Sequence, residues 1–336
     1  MNIYWSLTTL FKRLNWQLDE TASKIAEISS NICYRIENIN VSERAYHNTA
    51  FLPYDDVESL KRIVTRILKK DEQDNELYRG FQSACNSFLY YQSRFNPSNI
   101  HVNLPVLFGI AYSSLNLYYS YCSLINPIKP NQPVLLFFQA CPLDQKPFNY
   151  ADECNGVIDY CAGTETYPVI TFATNPNVFK RILFSYSSYP CNILHFSSHG
   201  TNGKLIFCTP GTYKSTFIQP NFVIDTFSKA MNKHNKLPLI YANSCYSDSF
   251  VRSFMLRRPD APIVRRAFGV MGTNNDYCAN KFSLAFYNYL SSTKAKTTNL
   301  DDLPLLISNS FYMTKQTFEN KEYSRKVCLM KRRKNR

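Results

Sequence analysis

The stretch Cys191–Ser249 decides the fold, because it contains two short apolar runs that each end beside a chemically useful residue. Its sequence is CNILHFSSHG at Cys191–Gly200 and LPLIYANSCYS at Leu237–Ser247. A short apolar run followed by small polar residues predicts a buried strand that ends in a loop. In an open α/β sheet, ligands and catalytic groups collect at the carboxyl ends of the strands. We therefore expect His199 and Cys245 to lie at the same edge of one sheet.

Strands and helices alternate on both sides of this stretch. The predicted strands are residues 133–138, 167–172, 192–196, 237–242 and 267–272, with a hairpin around residues 204–217. The predicted helices are residues 152–161, 177–186, 221–233, 249–256, 276–290 and 303–318. This alternation is typical of an α/β domain with a mostly parallel sheet sandwiched by helices. We assign that domain to residues 131–322.

Residues 1–128 have a different pattern, with apolar residues at three- and four-residue steps. The predicted helices are residues 7–39, 55–67, 77–95 and 106–125. No 34-residue self-similarity is present, so a tetratricopeptide array is not indicated. The segment is predicted to be an all-helical N-terminal module that serves regulation or partner docking.

The composition of the 336-residue chain is that of a globular protein, with 45% apolar and 15% aromatic residues. The 11 cysteines show no CxxC pair or other tight ligand spacing, so neither a disulfide framework nor a metal site is indicated. We expect no cofactor. The N-terminus lacks the pattern of a secretory signal, and no apolar run is long enough to span a membrane. A cytoplasmic protein without membrane contact is therefore expected.

The net charge of +13 is concentrated near the C-terminus, where 17 Lys and Arg residues stand against 6 acids from Arg252 onwards. Residues 323–336 are predicted to form a basic tail. Such a run could contact nucleic acid or an acidic partner, or it could be a solvated terminus, which is the commoner case. No recognised nucleic-acid motif accompanies it, so nucleic acid is expected to be involved only indirectly.

His199 and Cys245 together suggest a nucleophilic site. Cysteine attacks as the thiolate, and a nearby imidazole raises the thiolate fraction and can later protonate the leaving group. Gly200 leaves space for a substrate carbonyl, and the N–H groups of Gly200 and Cys245 could form an oxyanion hole. Alone, a cysteine at a strand end is usually a core thiol, and we interpret His195 as a core residue. Because His199 and Cys245 stand at equivalent strand ends, the pair favours a nucleophilic site over two unrelated structural residues.

Three blocks of the sequence, in this order, resemble the CHAT branch of the caspase-like (clan CD) cysteine peptidases. They are LHFSSHG at Leu194–Gly200, IYANSCYS at Ile240–Ser247, and FGVMGTNNDYCANKFSLAFYNYL at Phe268–Leu290. The third block carries the Phe286-Tyr287 pair of that branch, and Leu300–Leu303 matches its closing segment. The resemblance covers about residues 131–320 and leaves the N-terminal third unmatched.

The resemblance implies a caspase-like fold in which His199 is the catalytic base and Cys245 the nucleophile, with the Gly200 and Cys245 amides as oxyanion donors. The position two before the cysteine often lines the primary specificity pocket in caspase-like enzymes. Metacaspases, which cut after Arg or Lys, have Asp there, whereas this chain has Asn243. Asn243, Ser198 and Asp248 are the candidate substrate-binding residues, although Asp248 also fits an ordinary surface loop.

We thus expect a cysteine endopeptidase with a Cys-His dyad that cleaves a protein substrate. The resemblance suggests a regulated effector in bacterial defence or cell-death signalling, with an activating or inhibitory protein partner bound through the N-terminal helices. The alternative is a catalytically silent caspase-fold interaction or scaffold module, which predicts no unusual thiol reactivity.

Overall fold

The structure is a computed structural model that describes residues 12–37, 49–50, 54–67, 76–94, 102–146, 151–231, 236–255, 263–273, 275–292 and 302–331. The chain divides into two compact units. The first comprises residues 1–127, 142–147 and 209–215, and the second comprises residues 128–141, 148–208 and 216–336. Two short segments from the predicted peptidase domain therefore cluster with the N-terminal unit.

The N-terminal unit is built mainly from four helices, and the first three pack around the apolar fourth. The helices are α1 (Glu20–Glu37), α2 (Tyr54–Ile67), α3 (Glu76–Arg94) and α4 (Leu104–Ile125). A two-residue antiparallel pair, β1 (Thr49–Ala50) and β2 (Val102–Asn103), accompanies them and was not expected from the helical pattern. Ser114 of α4 donates to Ser29 of α1 across 2.6 Å inside this unit.

The predicted helix over residues 7–39 is shorter in the structure. Residues 7–11 and 38–39 lie outside the described part of the chain. Asn15 has a left-handed φ of 55°, and Asp19 accepts from the Ala22 N–H at 2.7 Å, so that α1 begins at Glu20. A carboxylate that accepts from a free N–H in the first turn favours the start of a helix at that point. The cap thus sets the first residue of α1, although apolar residues at helical spacing precede it.

The second unit contains a sheet whose central strands are parallel. The strands are β3 (Val134–Ala140), β4 (Tyr167–Thr171), β5 (Cys191–Thr201), β6 (Lys204–Cys208), β7 (Ser215–Ile218), β8 (Lys236–Asn243), β9 (Ile263–Val270) and β10 (Val327–Lys331). The order is β10-β9-β8-β5-β3-β4, and β6 pairs with β5 and β7. All neighbours from β4 to β9 are parallel, whereas β10 is antiparallel to β9 and β6 is antiparallel to β5.

A row of four rings crosses one face of this sheet. Phe137, His195, Tyr241 and Phe268 are register partners on neighbouring strands, with ring centroids 4.9, 4.2 and 4.0 Å apart along the row. Tyr287 also lies against this row, with its ring centroid 5.7 Å from that of His195. The helices on this face are α5 (Ala151–Thr164), α9 (Asp276–Ser292) and α10 (Leu303–Thr317).

The opposite face of the sheet is covered by a second group of helices. Phe138 and Phe196 are stacked there at 5.7 Å and pack against Phe179 and Phe250. The helices are α6 (Pro176–Ser185), α7 (Pro220–Ala230) and α8 (Ser247–Met255). The prediction of a mostly parallel α/β sheet between two helical layers, after a helical N-terminal segment, is confirmed.

The predicted basic tail over residues 323–336 is wrong for its described part. Residues Lys321–Lys326 form α11, and β10 pairs with β9 from Val327↔Val270 to Lys331↔Arg266. The apolar run VCLM at residues 327–330 provides an edge strand, and the surrounding charge hid that pattern. Residues 332–336 lie outside the described chain. Among the described residues, no helix is both long and apolar enough to cross a membrane.

Candidate active site

The carboxyl ends of β5 and β8 carry the two predicted catalytic residues. The strands are parallel, and Ser197 is the register partner of Asn243. His199 and Cys245 each lie two residues beyond this pair. Since side chains alternate along a strand, His199 shares a face of β5 with Ser197 and His195. The strand pairing therefore brings both residues to the predicted edge of a single sheet.

Gly200 packs directly against the cysteine loop. A Cβ at this position would lie 2.0 Å from Ser244 Oγ and 2.4 Å from the Cys245 carbonyl oxygen, distances that real Cβ atoms do not adopt. The loop thus fills the side of Gly200 on which a Cβ would lie. The sequence analysis had assigned the space left by this glycine to a substrate carbonyl instead. The glycine is required for the two strand ends to meet.

This close approach gives a prediction for Gly200→Ala. The added methyl group must push the histidine and cysteine segments apart, so we expect the free energy of unfolding to fall by about 1–3 kcal/mol. Thiol alkylation at Cys245 should slow at the same time. Thr201→Ala, one residue further along β5, is the matched control for urea denaturation and alkylation. Wild-type stability and reactivity in Gly200→Ala would contradict the packing described.

The backbone turns sharply after Cys245. Tyr246 has a left-handed φ of 53°, and its N–H donates to the Gly272 carbonyl at 2.9 Å. Ser247 then begins α8, and its hydroxyl donates to the Ala242 carbonyl and accepts from the Val270 N–H. Cys245 is thereby held at a tight turn between β8 and the N-terminus of a helix, where it is partly exposed.

A small cleft lies over these two strand ends. The lining residues are Glu153, Ser197, Ser198, His199, Asn243, Ser244, Cys245, Asp276, Ala279 and Asn280. Of the predicted site residues, the cleft brings together His199, Cys245, Asn243 and Ser198. Asp248 is not among the lining residues, because the first turn of α8 packs its backbone against Gly269 of β9.

Glu153 is the main residue of this site that the sequence analysis missed. Its carboxylate is fully buried and accepts from Asn243 Nδ2 at 2.7 Å, Ser283 Oγ at 3.0 Å and Ser197 Oγ at 2.5 Å. The same carboxylate lies 2.7 Å from His195 Nε2. The partners are two hydroxyls, a side-chain amide and an imidazole nitrogen, so both carboxylate oxygens are hydrogen-bonded within the buried layer. The carboxylate joins α5 to β5, β8 and α9.

His195 is buried as predicted, but it belongs to this polar network. Its Nδ1 lies 2.8 Å from the hydroxyl oxygen of Tyr287, while Nε2 contacts Glu153. A buried polar group must find partners, and both ring nitrogens have one. His195 thus belongs both to the row of rings over the sheet and to a hydrogen-bonded layer beneath the cleft.

The cysteines away from the cleft have a different environment. Burial raises the pKa of the Cys85, Cys122 and Cys191 thiols to about 12 each, and it raises the pKa of Cys154 and Cys161 well above the usual value. These thiols stay protonated at neutral pH. All ten cysteines whose side chains the structure describes are free of disulfide bonds.

The described residues contain no group of three or more His, Cys, Asp or Glu side chains placed to bind a metal ion. The cleft is lined by an imidazole, a thiol, two carboxylates and several small polar groups.

Comparisons with known proteins find similar solved structures. No protein-family model matches the chain, and no curated protein matches it. The fold is similar to the X-ray structure of a secreted C11 cysteine protease from Bacteroides thetaiotaomicron in complex with an irreversible peptide inhibitor. The identity is 12%, the TM-score is 0.38, and the match covers 60% of this chain. The chain spans 66% of that protein's length.

Proposed function

We propose that the chain is a caspase-like cysteine endopeptidase of the CHAT type that uses Cys245 as nucleophile and His199 as general base. The observation that carries this proposal is the cleft in which both side chains line the carboxyl ends of adjacent parallel strands, beside the close contact between Gly200 and the cysteine loop. The motif blocks around both residues support it.

The reaction would proceed through a thioester on Cys245. His199 takes the thiol proton, and Sγ attacks the scissile carbonyl carbon. The resulting oxyanion is stabilised by the N–H groups of Gly200 and Cys245. The C–N bond then breaks as His199 returns the proton to the leaving amine, and water, deprotonated by the same imidazole, hydrolyses the thioester.

The position of Cys245 before α8 suits this chemistry. A helix N-terminus stabilises negative charge nearby, and α8 begins two residues after the cysteine. A thiolate formed at Cys245 would thus lie near the positive end of a helix. The buried thiols elsewhere in the second unit lack such exposure.

The biological setting follows from the resemblance. We propose a regulated effector in bacterial defence or cell-death signalling that acts in the cytoplasm on a protein substrate. The N-terminal helices would receive an activating or inhibitory protein partner. Such control is expected of a peptidase that shares a compartment with its potential substrates.

A peptide-library experiment tests the proposal. The wild-type protein and the variants Cys245→Ala and His199→Ala are incubated with the library, and new peptide ends are identified by mass spectrometry. Cut sites that appear with the wild type and disappear with both variants are the expected result. A wild type that cuts nothing and whose Cys245 is no more reactive than in His199→Ala would instead support the silent scaffold module.

A further inference from the structure

We propose that Glu153 is a positioning residue for the catalytic pair, because its buried carboxylate joins β5 to β8 and so sets the distance between His199 and Cys245. This inference rests on the proposed peptidase function and deepens it. The carboxylate acts through the two strands that carry the pair. Among the described residues, no hydrogen bond joins Glu153 to His199 or to Cys245 itself.

The first observation is the level at which the carboxylate holds each strand. Glu153 Oε2 accepts from Ser197 Oγ of β5 at 2.5 Å, and Oε1 accepts from Asn243 Nδ2 of β8 at 2.7 Å. Ser197 and Asn243 are register partners, and each lies two residues before a member of the catalytic pair. One side chain of α5 therefore joins the two strands at matching positions.

The second observation is that the regular pairing of the two strands stops at this level. Ser197↔Asn243 is the last register pair of β5 with β8. β5 continues to Thr201 and pairs there with β6, whereas β8 ends at Asn243. In the described part of the chain, the β5–β8 pairing thus does not extend to His199 or Cys245. Their separation depends on side-chain contacts at the strand ends, and the carboxylate provides the last one before them.

The third observation is that the carboxylate is itself held in place. Glu153 is fully buried, and its Oε1 also accepts from Ser283 Oγ of α9 at 3.0 Å and lies 2.7 Å from His195 Nε2. His195 is fixed by the Tyr287 hydroxyl at 2.8 Å and by the stacked ring of Tyr241 at 4.2 Å. Side chains locked by packing and by supporting hydrogen bonds hold a site to within about 0.5 Å.

This precision matters for the chemistry of the pair. The imidazole of His199 takes the proton of Cys245 Sγ only within hydrogen-bond reach, directly or through one water. A misplacement of about 1 Å costs on the order of 100-fold in rate. Loss of the carboxylate should therefore lower the thiolate fraction at Cys245, although neither member of the pair is changed.

A double-variant comparison tests the proposal. The rate of iodoacetamide alkylation at Cys245 is measured by peptide mapping in the wild type, Glu153→Ala, His199→Ala and the combined variant. We expect Glu153→Ala to slow alkylation at least about fivefold, and to change it by less than about twofold when the imidazole is already absent. A general loosening of the fold would change the rate by the same factor in both backgrounds. That result, or a wild-type rate in Glu153→Ala, would overturn the proposal.

Ser197→Ala is a milder variant for the case that Glu153→Ala does not fold. It removes only the hydrogen bond between β5 and the carboxylate, so we expect alkylation to slow at least about fourfold, again only when His199 is present. Ser308→Ala is the matched control, since this buried hydroxyl on α10 accepts from Arg266 Nε at 2.8 Å. It should leave the rate within about twofold of the wild type. Equal slowing in the two serine variants would contradict the assignment.

The His199→Ala variant distinguishes the two levels of failure. If it slows alkylation of Cys245 whereas Glu153→Ala and Ser197→Ala do not, the positioning proposal alone is wrong. If His199→Ala reacts at the wild-type rate, the catalytic pair itself is wrong, and the positioning proposal fails with the proposed function.

Discussion

Cys245→Ala is expected to abolish peptide hydrolysis, with a rate that falls on the order of 10⁴-fold or more, as when the nucleophile of a hydrolase is removed. The reason is that no other described thiol lines the cleft, and several of the remaining thiols are held protonated by burial. The measurement is the initial rate of cleavage of a peptide that the wild type cuts, under identical conditions for both proteins.

The matched control for this experiment is Cys328→Ala. Cys328 is a half-buried thiol on β10 whose Sγ donates to the Gly269 carbonyl, and burial raises its pKa. Its replacement should leave the cleavage rate within about twofold, because surface and edge substitutions away from a site have small effects. A Cys245→Ala protein that folds and still cleaves at the wild-type rate would exclude Cys245 as the nucleophile.

Glu153→Ala is expected to lower the free energy of unfolding by about 3–5 kcal/mol, because several buried polar groups lose a hydrogen-bond partner and each such loss costs about 1–3 kcal/mol. The change leaves the Asn243 amide, the Ser197 hydroxyl and His195 Nε2 without their carboxylate partner in a buried layer. Each of these groups gave up its hydrogen bonds to water on folding. It stays buried in the variant, so water does not replace the lost bond.

Urea denaturation followed by far-UV circular dichroism measures this effect. Asp152→Ala is the control on the same helix, since Asp152 forms a partly exposed pair with Lys281. That variant should lose no more than about 1 kcal/mol, as exposed ion pairs contribute little. Equal stability of Glu153→Ala and Asp152→Ala would mean that the buried hydrogen bonds to Glu153 do not stabilise the fold.

The position of the site could be predicted from sequence because it depends on local patterns. The apolar runs predict β5 and β8 as buried strands and place His199 and Cys245 after their apolar residues. β5, however, continues through His199 to Thr201 and pairs there with β6, where the sequence analysis expected a loop. The helical layers follow from the same periodicity. The parallel direction of the strands and the helical cover on both faces follow from the general rules of α/β folds. The order of the strands in the sheet was not predicted.

Glu153 could not be predicted in the same way, because its partners lie 42 to 130 residues away in the chain. In the sequence it is one of two acids at the start of a helix, where acids are common. The only local signal is its place on the helical stripe of Val157 and Tyr160, which puts a charge on an apolar face. An acid at such a position calls for a buried partner.

For β10 the opposite happened. A local strand pattern was present in the sequence, but the basic residues around it were given more weight in the prediction. The run VCLM at residues 327–330 has the composition of a strand, but basic residues surround it. Charge informs on solubility and partners rather than on fold. The pairing of Val327 with Val270 shows that the apolar residues decide the structure there.

The rate of iodoacetamide alkylation at Cys245 tests the central claim most directly. It is measured at pH 7.5 by peptide mapping, in the wild type and in His199→Ala, with the other cysteines as internal references. The account predicts that Cys245 reacts faster than the buried thiols. It also predicts that His199→Ala slows the alkylation of Cys245 at least about tenfold, since the imidazole takes the thiol proton and so raises the thiolate fraction. An equal rate in the two proteins would contradict the dyad.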